Sequence, residues 1–354
     1  MDAPEMPRKP TGRRAYRILA LVALNVVLPA GLLETYLRVV HYYPTYKSNL
    51  MNVVLDETLL YRIKPDRNNQ INELGFRDYE FQTTKTRKKR VLVLGDSFVM
   101  GLNVKLSETV PKQLEKMLGD GFEVYNMGIW GDGPDQSYLR FTRSGSNFSP
   151  DLVVLSLFPA NDYNDLYKNR LFIPQDGGFV FNKSNPVASS LRGLRLVPLA
   201  RRFVTGKYFA GDGDLNLLAL LFDDTPDSLS TGAVAAAELK KALMKFVLLE
   251  FRKEMSRRGV AFFVYILPSY EAIYAHKILD ERGISPQNYY MNEEVTDALC
   301  HETGIACLSF LAPFLEASKT VALYDLKDRH LSAEGNAFVA RVVCSYVRDR
   351  LSQE

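Results

Sequence analysis

The alternation of apolar and polar positions divides the chain into an apolar head, a mixed stretch and a long alternating body. Residues 18–33 carry no charge, and Glu34 and Arg38, spaced i, i+4, let one helical face continue to residue 40. From residue 91 the pattern changes. Short continuous apolar runs at 91–95, 123–127, 152–158, 261–267 and 306–311 predict strands buried on both faces. Between them, 107–118, 233–258, 287–302 and 333–351 have helical spacing, and the second of these ends in Arg257-Arg258-Gly259, a basic last turn and a glycine stop. Strand and helix in alternation predict an α/β fold: three layers, with a mostly parallel central sheet covered by helices on both faces.

Two stretches do not alternate. Residues 41–90 read as a stalk and lead-in, ending in the polar, basic run Thr83 to Arg90, expected to be a solvated loop. Residues 163–232 hold Gly, Pro, Asn and Asp clusters with scattered aromatics and no sustained period, which predicts an insertion or a lid. The body therefore spans 91–354, with that insertion inside it.

Composition sharpens the reading of the head. The chain has 354 residues, 47% hydrophobic and 24% charged, enough for a sizeable core and unlike a disordered or collagen-like chain. Its net charge is +3, and residues 1–40, with six basic against three acidic side chains, hold the entire excess. A neutral remainder offers no general basic surface for nucleic acid. Arg8, Lys9, Arg13, Arg14 and Arg17 directly precede the apolar run, and tyrosines flank it on both sides. This arrangement predicts a transmembrane signal anchor over residues 18–40, with residues 1–17 cytoplasmic and the body exported to the periplasmic side. A cleaved signal peptide fits less well, because no small-x-small site follows the run, and a buried soluble helix would not need the basic residues. Three cysteines exclude a disulfide scaffold, and none forms a CxxC pair. Cys300 and Cys307 flank a helix-to-strand connection, where a disulfide in an oxidising compartment and two separate buried thiols are both open; Cys344 has no evident partner.

Candidate chemistry gathers at the ends of the predicted strands. The first strand runs into Gly95-Asp96-Ser97, placing a serine where parallel sheets hold their ligands. A seryl hydroxyl needs a base, and there are only four histidines. His41 borders the anchor, while His276 and His301 lie in unremarkable helix-like stretches. His330 stands in a loop before the last helix, two residues after Asp328, and Ser332 is placed to cap that helix. The second strand leads into the Gly-rich turn from Asn126 to Gly133, the third into Pro159-Ala160-Asn161-Asp162, and both project from the same sheet edge as Ser97. A backbone N–H from the first and the Asn161 amide from the second are candidate donors to an oxyanion.

Gly95-Asp96-Ser97, the Asn126 to Gly131 turn, Asn161-Asp162 and Asp328-x-His330 resemble, in order, the four sequence blocks of the SGNH (GDSL-type) hydrolases. Asn72-x-x-Gly75-Phe76-Arg77-Asp78 resembles the lead-in of membrane-anchored bacterial members. The resemblance implies a flavodoxin-like α/β/α sandwich. It implies Ser97 as nucleophile, His330 as base and Asp328 as the acid that orients it. It also implies an oxyanion hole made by the Ser97 N–H, the Gly131 N–H (in preference to Gly128) and the Asn161 side chain. Many family esterases place the acid three residues before the histidine, where this chain has Lys327. The two-residue spacing resembles members linked to acylation of bacterial surface glycans, and leaves Asp325 as the runner-up acid. The implied reaction is ester hydrolysis through an acyl-Ser97, without metal or organic cofactor, on an O-acyl ester of a glycan or lipid. An O-acyltransferase working with envelope polysaccharide machinery, and a silent glycan-binding or assembly protein, are the alternatives.

Overall fold

The computed structural model describes Tyr16 and residues 21–39, 45–47, 52–56, 58–183, 231–274 and 287–351. The predicted strands form one five-stranded sheet: β4 (Lys89–Gly95), β5 (Phe122–Gly128), β6 (Leu152–Leu157), β9 (Ala261–Ile266) and β10 (Cys307–Ser309). Its order is β10-β9-β6-β4-β5, and every neighbouring pair is parallel. Counted from β4 this is 2-1-3-4-5, the flavodoxin-like order, whose ligand crevice opens between the first and third strands. Here those strands are β4 and β6.

Successive side chains on a strand point to opposite faces, and both faces of this sheet are covered. Leu92, Leu94, Val153 and Val264 pack with Met244, Val247 and Phe251 of the long helix Thr231–Arg258. Val91, Val93, Val154 and Phe263 pack with Leu114 of the helix Val110–Leu118 and with Val339 and Val343 of Ala333–Leu351. The sandwich thus has three layers.

The lead-in is part of this body. Strands β1 (Thr45–Lys47), β2 (Asn52–Asp56) and β3 (Leu60–Ile63) form a small antiparallel sheet, and Ile63, Ile71 and Phe76 join the core on one face of the main sheet. Arg77 donates to the carbonyls of Met100, Gly101 and Val104, while Asp78 pairs with Lys112 at 2.8 Å and accepts the Asn126 N–H. The basic run is not fully solvated, because Arg90 is entirely buried. It pairs with Glu123 at 2.9 Å and donates to Phe148 O, and its guanidinium stacks 5.0 Å from the Tyr125 ring.

The stretch expected to be irregular begins with regular structure. A helix spans Pro159–Asn169, and β7 (Phe172–Gln175) and β8 (Gly178–Phe181) form a hairpin; residues 184–230 lie outside the described residues. The 107–118 helix starts later than expected, at Val110, after a 3₁₀ turn over Leu106–Glu108. Cys300, Cys307 and Cys344 are free thiols, with the Cys300 thiol beside Cys307 raising the pKa of the latter.

At the head, a π-helical turn over Ala23–Val27 runs into the helix Leu28–Val39. Pro29 has no N–H for the carbonyl four residues back, which favours such widening. Leu24, Val26, Val27 and Leu32 are more than half exposed there. No helix among the described residues is long and apolar enough to cross a membrane, and residues 18–20 and 40 of the expected span lie outside them.

Candidate active site

Strand β4 ends at Gly95, whose φ of +153° lies where side chains are rarely accommodated; a Cβ there would come within 2.9 Å of Ser156 Cβ. The sharp exit lets Asp96 cap the short helix Ser97–Met100 by accepting the Phe98 N–H at 3.0 Å. Ser97 therefore opens a helix at the carboxyl end of β4, with its own N–H free of acceptors among the described residues.

His330 arrives from the opposite end of the sequence. Its loop is closed by a bridge between Tyr324 and Leu331, by Asp325 N–H to His330 O at 2.8 Å, and by Ser332 N–H to Leu323 O at 2.9 Å. Ser332 Oγ accepts the Gly335 N–H at 3.0 Å, the expected cap of the last helix. His330 Nε2 consequently stands 2.8 Å from Ser97 Oγ. The two groups are 233 residues apart in sequence.

The candidate acids separate in space. Asp328 Oδ2 lies 3.5 Å from His330 Nδ1, and its Oδ1 accepts the His330 N–H at 3.1 Å. Nδ1 is buried and has no closer partner. Asp325 instead turns its carboxylate onto the N–H groups of Lys327 and Asp328, at 2.7 and 3.4 Å, and takes no part at the imidazole.

Asn161, expected in a loop, lies in the first turn of the helix Pro159–Asn169, still on the edge that carries Ser97. Its Nδ2 donates to Asp96 Oδ2 at 3.3 Å, leaving a second amide hydrogen unassigned. Ser97, Gly131, Asn161, Asp328 and His330 all line one cavity of about 340 Å³. Trp130, 37% exposed, stands at its wall. Of the other histidines, His301 is an exposed helix residue, 3.7 Å from Asp297, and His41 and His276 lie outside the described residues.

Three features in and around the cavity have no signal in the sequence. Arg329 holds a left-handed backbone (φ +64°) between Asp328 and His330, pairs with Glu271 and lies 5.5 Å from the Tyr270 ring, tying the His330 loop to the helix Tyr270–Tyr274. Phe98 packs against the imidazole, with ring centroids 4.9 Å apart. Outside the cavity lining, Asp162 interacts with the carboxyls of Asp96, Asp135 and Asp165, all buried except the half-buried Asp165. Burial raises the Asp96 pKa, burial and the neighbouring Asp96 and Asp165 charges push Asp162 well above the carboxylate range, and Asp135 and Asp165 reach about 7. Among the described residues no group of His, Cys, Asp and Glu side chains is arranged to hold a metal ion.

No protein-family model matches the chain, and no curated protein does. Solved structures resemble it at low identity. One is the acetyl xylan esterase AlAXEase, with 15% identity and a TM-score of 0.41, covering 73% of this chain and 99% of that one. A second is TesA, with 15% identity and a TM-score of 0.40, covering 74% and 99%. A third is a catalytic mutant of an acetylxylan esterase from Geobacillus stearothermophilus, with 14% identity and a TM-score of 0.40, covering 74% and 95%. Likeness at this level assigns no activity.

Proposed function

We propose that the chain is a serine-dependent ester hydrolase of the SGNH type, working through an acyl-Ser97 intermediate. The observation that carries the reading is the 2.8 Å contact between Ser97 Oγ and His330 Nε2 at a helix start with unused donors around it. In the first step Ser97 Oγ attacks the ester carbonyl and its proton passes to His330 Nε2. Negative charge on the carbonyl oxygen is met by the Ser97 N–H, the Gly131 N–H and the Asn161 amide. The imidazolium, steadied by Asp328, then protonates the departing alcohol. Water, deprotonated by the same histidine, releases the acyl group and restores the Ser97 hydroxyl.

The exposed side chains of Leu21, Val22, Leu24, Val26, Val27 and Leu32, with the basic residues before them, support a single-pass anchor in the cytoplasmic membrane with the site on the periplasmic side. The Trp130 and Tyr270 rings at the cavity support an O-acyl ester of a glycan or lipid as substrate.

One preparation tests both parts. Carbonate-washed membranes from cells making the full chain should hydrolyse p-nitrophenyl acetate, membranes with Ser97→Ala should not, and Asn161→Ala should cost about 10²–10³ in rate. Equal rates for wild type and Ser97→Ala contradict the mechanism. Activity washed wholly into the supernatant contradicts the anchor. Loss of released acetate to an added sugar acceptor identifies a transferase instead.

A further inference from the structure

The turn that carries Gly131 is held by a residue from the lead-in, 69 positions upstream of Trp130. Asp132 N–H donates to Ile129 O at 3.1 Å, closing a four-residue turn over Ile129–Asp132. Gly131 has φ +75°, and Trp130 is not among the residues with positive φ. A negative φ followed by a positive one defines a type II turn. In that turn the central peptide stands across the chain. Because the peptide is planar and trans, its C=O and N–H point in opposite directions. Whatever fixes Trp130 O therefore fixes the Gly131 N–H.

Tyr61 does this. Its hydroxyl donates to Trp130 O at 2.6 Å. A Cβ built on Gly131 would lie 3.1 Å from the same Tyr61 oxygen, so the phenol closes the outer side of the turn while Gly131 lines the Ser97 cavity on the other. The Gly131 N–H itself meets no acceptor among the described residues.

Tyr61 is in turn immobilised. Arg140 Nη2 donates to Tyr61 O at 3.0 Å and to Asp132 Oδ1 at 2.9 Å, and its guanidinium lies 5.7 Å from the Tyr61 ring. Asp132 is the last residue of the turn, so one buried arginine grips the turn and its brace together. Gln136 Nε2 holds Leu59 O at 2.8 Å, fixing the start of β3 to the same helix as Arg140. Burial and the Asp132 charge raise the Tyr61 pKa well above 10.0, which keeps the hydroxyl a donor.

We propose that Tyr61 is a positioning residue of the Ser97 site: its hydroxyl sets the Trp130–Gly131 peptide so that the Gly131 N–H is aimed at the developing oxyanion. The proposal rests on the hydrolase reading above. It makes the lead-in a working part of the site.

Tyr61→Phe in the full-length chain removes the hydroxyl and keeps the ring over Arg140. With p-nitrophenyl acetate, kcat should fall about tenfold while KM stays within about twofold, because a misaimed donor is missed only in the transition state. Trp130 is the sole tryptophan of the chain, so its emission reports on this turn; its quenching by iodide should rise while circular dichroism is unchanged. A kcat within about twofold of wild type overturns the proposal, and so does a loss of kcat with the Trp130 signal unmoved. An inactive wild type would defeat the hydrolase reading, and the Trp130 signal would still decide whether Tyr61 holds the turn. Should Tyr61→Phe not fold, amide exchange in the wild-type chain decides. Protection of the Asp132 amide like that of β5 supports the brace, and exchange at free-loop rates overturns it.

Discussion

At the scale of single residues the site depends on pairs that no local pattern contains. Ser97 and His330 meet across 233 positions, and Asp328 reaches the imidazole from the same short loop. The separation of 3.5 Å between Asp328 Oδ2 and His330 Nδ1 makes this the loosest link of the set. Asp328→Asn should therefore lower kcat by about 10²-fold, less than the loss of a tightly bonded triad acid. Asp325→Asn should leave kcat within about threefold, since an asparagine oxygen still accepts the Lys327 and Asp328 amides. Steady-state kinetics of the two variants checks the assignment, and the reverse ranking would transfer the role to Asp325. Ser97 and His330 are legible in the sequence because a serine after a buried strand and a short list of histidines leave few choices. Arg329 and Tyr61 are not: their roles depend on Glu271 and Trp130, which local spacing cannot bring to them.

At the scale of elements, the strands are readable because burial on both faces leaves continuous apolar runs. The helix Pro159–Asn169 is not, since Asn161, Asp162, Asn164 and Asp165 are turn formers by preference. Asp162 explains how it forms: its carboxylate accepts the Phe158 N–H, and buried Leu166 anchors the helix in the core. Arg90 departs from the expected solvated loop for a similar reason, since its partners Glu123, Phe148 and Tyr125 are distant in sequence. The carboxyls gathered around the Pro159–Asn169 helix have a cost that depends on pH. Asp165 titrates near 7 in the fold because of burial and the Asp96 and Asp132 charges, with Lys168 opposing them, whereas its ordinary value is 3.8. The folded state thus binds more protons over that interval, and stability falls as pH rises from about 4 to about 7. Asp165→Asn should add about 1–3 kcal/mol at pH 8 and almost nothing at pH 4. Urea unfolding at the two pH values measures this, and an equal effect at both would show that Asp165 is not held protonated.

At the scale of the molecule, the sheet order places the β4 and β6 exits side by side, and the loops from β5 and from before the last helix complete the ring of functional groups. The lead-in braces this ring through Arg77 on the Ser97 helix and Tyr61 on the Gly131 turn. In the proposed reading these parts share one chemical end, which is to make Ser97 a nucleophile toward esters. The most direct measurement is mass spectrometry of the full-length chain after reaction with a fluorophosphonate ester. A single phosphonyl adduct is expected on the peptide containing Ser97, formed rapidly by wild type and much more slowly by His330→Ala. An adduct on another residue, or none at all on a folded chain, would contradict a nucleophilic Ser97.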